Sequence, residues 1–68
     1  MDNSTEFTNR KLERLAYPID EACWAIGVGR SVLYRFHREG KVEFRKLGGR
    51  TLVPVESLRR LIEEAPAA

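Results

Sequence analysis

The chain has 68 residues, 43% hydrophobic and 32% charged, with a formal net charge of +2. That length makes one domain near the lower limit at which a single core holds a fold unaided, with little room for an enclosed active site. Its one cysteine, Cys23, forms no internal disulfide, and with His37 as the only histidine a zinc set is not expected either.

No apolar run approaches a membrane span, and MDNSTEF lacks the basic and apolar regions of a signal peptide. The expected location is the cytoplasm, with no membrane partner. There is no acid/base pair beside a nucleophile and no cofactor loop, so no catalytic residue, metal or cofactor is expected. The GVG at 27–29 has neither a GxxxxGK context nor a preceding strand, and it is not read as a phosphate loop.

Charge is segregated along the chain. Residues 30–50 hold seven Lys and Arg against two Glu, a net +5, and the remainder sums to −3. One surface should therefore attract phosphate while the rest repels it, which orients the protein toward a polyanion.

Taken in order, residues 1–16 read as a tail or a short accessory helix. In that helix Thr8 would be the cap, with Leu12, Leu15 and Ala16 on one side and Arg10, Lys11 and Arg14 outward. It is either a basic arm for DNA or a neighbouring subunit, or a tail lying on the domain. The first clear helix follows Tyr17 and Pro18: Asp20 and Glu21 complement its positive end, Ala22, Cys23 and Ile26 form its buried side, and Gly27 stops it. Val28 is placed to plug the angle to the next helix.

That next helix, GRSVLYRFHREG, turns Val32, Leu33 and Phe36 to one side and leaves Arg30, Ser31, Tyr34, Arg35, His37 and Arg38 pointing elsewhere. Gly29 and Gly40 mark its ends. An outward face of Arg, Ser and Tyr suits the DNA major groove, and His37 is expected to approach phosphate. A solvated basic face is the alternative. Two short helices joined by GVG, the second basic, have the outline of a helix-turn-helix.

VEFRKLGGRTLVPV then changes to strand character. Gly48 and Gly49 supply the positive φ of a tight hairpin turn, and Pro54 ends the second strand. Lys46 and Arg50 charge the tip where a wing would reach a minor groove or its phosphates; gatekeeping on an exposed hairpin is the alternative. A closing helix from Val55 or Glu56 to about Glu64 puts Val55, Leu58, Leu61 and Ile62 inward, and residues 65–68 form a tail. Trp24, on the outward side of its helix, and Phe44, which shares strand parity with Lys46, are read either as contacts for a protein partner or as packing under the N-terminal segment.

The succession of helix, GVGRSVLYRFHREGKV, hairpin with GGR, proline and closing amphipathic helix resembles the excisionase-type winged helix-turn-helix, a relative of the MerR DNA-binding domain. The resemblance covers residues 18–63. Pro18 stands where that family commonly caps with Ser or Thr, and Thr51 where a large aromatic is common. The resemblance implies a mainly α fold with a small β-hairpin, α-α-β-β-α, over residues 17–64. It also implies major-groove contacts from Arg30, Ser31, Tyr34, Arg35 and Arg38, with Arg50 in the wing; Lys46, Gly49 and Thr51 are the other wing candidates. Its members look like phage or mobile-element directionality factors of a bacterial host cell: copies associate along double-stranded DNA of the attachment-site region, bend it, and help a tyrosine integrase toward excision. A small MerR-like transcriptional regulator with the same contacts is the alternative.

Overall fold

The computed structural model describes residues 13–68, in the order β1 (Ala16–Pro18), α1 (Ile19–Ile26), α2 (Arg30–Arg38), β2 (Arg45–Leu47), β3 (Arg50–Pro54) and α3 (Val55–Glu64). Helices α1 and α2 end in the same way. Val28 N–H donates to the Cys23 carbonyl at 3.0 Å and Gly27 N–H to that of Trp24 at 3.3 Å; Lys41 N–H donates to Phe36 at 2.8 Å and Gly40 N–H to His37 at 3.0 Å. Each is the paired closure that satisfies orphan carbonyls at a helix end. Gly27 takes φ 75°, which a side chain would resist, and the chain thereby turns Val28 back against the core.

Neither α1 nor α2 has a side-chain N-cap. Pro18 precedes α1 with a φ of −58°, and Asp20 and Glu21 in the first turn offset its positive end. The first turn of α2 holds no acid.

The sheet is antiparallel in the order β1-β3-β2. Strand β1 is an addition to the expected α-α-β-β-α succession: Tyr17 registers with Val53 and Pro18 with Leu52. Val55 N–H donates to the Leu15 carbonyl at 2.9 Å and extends that edge. Pro18 lacks a donor, a loss that an edge strand tolerates. Of the helix considered for residues 8–16, the first part lies outside the described residues. Residues 13–15 are not helical and Ala16 opens β1.

Strands β2 and β3 pair as Arg45 with Leu52, Lys46 with Thr51 and Leu47 with Arg50, closing through Gly48 and Gly49 at φ 58° and 81°. Two positive φ values in a two-residue loop match the twist of the strands they join.

The core draws on every layer: Ala22, Leu33 and Val53 are fully buried, with Ile19, Cys23, Val42 and Leu58 nearly so. Tyr17, Ile26, Val28, Phe36, Phe44 and Leu61 pack around them. Ser57, on α3, is buried too, and its Oγ accepts the Glu43 N–H at 2.7 Å, which ties the base of the wing to α3. Ile62, expected inward on α3, is 56% exposed, because the buried arc of the helix runs through Ser57, Leu61 and Leu58 and Ile62 lies at its edge.

Candidate nucleic-acid interface

At about 100° per residue, Arg30, Tyr34, Arg38, Ser31 and Arg35 fill one continuous arc of about 140° on α2, and Leu33, Phe36 and Val32 fill about 100° on the opposite side. Leu33 is fully buried and Phe36 half-buried, whereas all five residues of the arc are exposed. The fold therefore pins one side of α2 to the core and turns the predicted contact set outward together.

Two features fix how α2 sits against the wing. Phe44 stacks on His37, with ring centroids 4.0 Å apart and planes 4° from parallel, and meets Tyr34 edge-on at 5.5 Å. His37 Nδ1 lies 3.2 Å from the Val42 carbonyl, which it reaches as donor when that nitrogen is protonated. His37 is thus engaged within the chain through Nδ1 and its ring face, while the residue itself stays exposed. The N-terminal segment considered as a cover for Phe44 lies largely outside the described residues; Phe44 itself is half-buried and packs on α2. Its shared parity with Lys46 has a simple origin. On that face of the wing, Val53 and Phe44 lie at the core end, and the Lys46–Thr51 pair lies beyond them near the tip.

The acids within the basic stretch are already engaged. Glu39 pairs with Lys41 at 3.4 Å and Glu43 with Arg45 at 3.0 Å. Among the described residues, Arg35 and Arg38 on the arc and Lys46 and Arg50 on the wing have no carboxylate partner. Four cations on two adjacent elements are left to attract phosphate. Thr51, half-buried, pairs with Lys46, and Gly49 completes the turn beside Arg50.

Arg30 differs from its neighbours. Its Nε lies 2.9 Å from Asp20 Oδ1, so α1 holds the first arginine of α2 across the intervening turn. Both side chains are largely exposed, and such pairs contribute at most about 1 kcal/mol. Asp20→Asn is expected to leave the melting temperature nearly unchanged and to tighten nucleic-acid binding by up to about fivefold, since it releases Arg30 and removes a repelling carboxylate. Fluorescence anisotropy with a labelled duplex checks this; weaker binding would mean that Asp20 positions Arg30 instead of restraining it.

Trp24 is 87% exposed on α1, as its helical position predicts. Cys23 is a buried free thiol whose pKa is raised by desolvation and further by Asp20. An apolar groove of about 340 Å³ lined by Ile26, Val28, Phe36, Leu61 and Ile62 contains none of the predicted contact residues. Among the described residues no His, Cys, Asp or Glu group is arranged to hold a metal ion, and no helix is long and apolar enough to cross a membrane.

Two helices joined by a three-residue turn, followed by a hairpin against a closing helix, define a winged helix-turn-helix. The chain belongs to the helix-turn-helix domain family, the family of excisionase-like DNA-binding domains, whose model matches residues 17–66. Neither the curated proteins nor the solved structures contain a significant match.

Proposed function

We propose that the chain is a non-enzymatic, sequence-specific architectural factor for double-stranded DNA, acting as an excisionase. The observation that carries the DNA-binding part is the exposed arc of Arg30, Ser31, Tyr34, Arg35 and Arg38 beside a wing whose Lys46 and Arg50 have no acid partner among the described residues. Helix α2 enters the major groove, its arginines forking onto guanine edges or phosphate and its hydroxyls reaching phosphate oxygens. The wing lies along the neighbouring minor groove.

In this reading copies of the chain bind cooperatively to adjacent sites in the attachment region of a phage or mobile element, inside the bacterial cytoplasm, and bend the DNA. Bending a site of 20–30 base pairs costs about 1–6 kcal/mol, which phosphate contacts from helix and wing together with contacts between copies offset. The bent complex directs a tyrosine integrase toward excision. Supporting this are the succession of motifs that resembles the excisionase type and the membership of a family of excisionase-like domains.

The test is excision of an attachment-site substrate by the purified integrase encoded beside this chain, with and without it. Excision that depends on the chain, with integration unaffected or inhibited, supports the proposal. DNA binding at a promoter with no effect on excision moves the function to a small MerR-like transcriptional regulator.

A further inference from the structure

The wing carries an apolar side chain at its tip that neither the fold nor the arginine contacts employ. Leu47, the last residue before the Gly48–Gly49 turn, is 69% exposed. It pairs across the hairpin with Arg50 and follows Lys46 in the chain, on the face of the wing opposite the buried Val53. Ile62, another exposed aliphatic residue, is followed by Glu63 and Glu64; Leu47 instead stands among cations at the end of a projecting element.

We propose that Leu47 is a wedge that enters a base step of the minor groove and kinks the duplex, with Arg50 as the phosphate anchor beside it. The minor groove is only about 6 Å wide, so an entering element must be slim at its end. This tip is slim: between Leu47 and Arg50 the turn is two glycines, with no side chain on either. Cross-strand partners keep their Cβ atoms about 5 Å apart, which sets an apolar group and a guanidinium side by side on the same face. Apolar side chains inserted between base steps unstack them and bend DNA by about 20–90°, and Leu is among the residues that do so. Cations around the leucine supply the attraction that draws an apolar group onto a polyanion. The wing base is held to α2 through Phe44 and to α3 through Ser57, so the tip is carried on a braced element.

This inference rests on the proposed DNA binding, and the experiment separates the two. A duplex carrying a site selected from random DNA by the wild-type chain is labelled with a donor and an acceptor dye at its ends, and energy transfer reports the bend. Wild-type chain is expected to bind and raise the transfer. Leu47→Ala, which lies outside the core and should fold normally, is expected to bind within about tenfold of wild type while losing at least about half of the bend; Leu47→Met is expected to restore it. Arg50→Ala should instead weaken binding without straightening the complex that forms. A Leu47→Ala complex as bent as wild type, or a wild-type complex on an unbent duplex, overturns the wedge and leaves DNA binding standing. Absence of any wild-type complex overturns both.

Discussion

Arg35→Ala is expected to weaken binding to the cognate site by roughly tenfold to a hundredfold, the equivalent of about 1–3 kcal/mol for a lost base-reading arginine, and to relax preference at one base pair. Arg35 lies on the outward arc of α2 with no carboxylate partner among the described residues, so its removal unbalances nothing inside the fold. Arg50→Ala makes the contrast. A wing contact to phosphate carries no base information, so its loss should weaken all sequences alike and reduce the salt-dependence slope by about one. Anisotropy titrations at several salt concentrations, on cognate and scrambled duplexes, read both effects, and melting temperatures confirm intact folding. Equal affinities for wild type and both variants would mean that the basic surface is only a solvated face.

Leu33→Ala is expected to have the largest effect on stability. Leu33 is fully buried on the core side of α2, where the helix meets the rest of the domain. Truncating such a leucine costs about 2–5 kcal/mol from lost transfer energy and the cavity left behind. A domain of this size rarely has more than about 3–5 kcal/mol from its core, so most or all of its stability is at risk. In a thermal melt followed by circular dichroism, a drop of at least about 10 °C or the loss of a cooperative transition is expected. A change of a degree or two would mean that α2 is not seated through Leu33, and the outward direction of its arc would lose its basis.

The parts of the fold that could be read from the residues are those with strong local signals. Leu33 and Phe36 at helical spacing gave α2 its inward side, and the Gly27–Gly29 and Gly48–Gly49 pairs marked the turns that the backbone takes. Strand β1 was not legible, because three residues ending in Pro18 have too short a run for any period, and their pairing is decided by Val53 more than thirty positions away. Ser57 was hidden for a similar reason: a serine on a helix looks outward until Glu43 from the wing supplies the N–H that justifies burying it.

Within the candidate site, the outward residues of α2 were accessible to helical periodicity, but their partners were not. Nothing local in the chain joins Asp20 to Arg30, and only the angle at the turn brings them together. Phe44 was ambiguous because its parity with Lys46 placed it on the same face as a charge. The structure resolves this by making one face of the wing core at its base and open at its tip. Leu47 had a readable signal, an aliphatic residue at the mouth of a Gly-Gly turn between cations, though without the strand register it could as well have faced the core.

In the proposed function, α2 and the wing together grip duplex DNA in successive copies. The most direct measurement is an electrophoretic titration on the DNA of the attachment region flanking the element that encodes the chain. A ladder of successively slower, cooperatively formed complexes at low salt, lost on combining Arg35→Ala with Arg50→Ala, is the expected result. No shifted species at low salt would contradict DNA binding altogether, and a single shifted species confined to a promoter palindrome would contradict assembly along the attachment region.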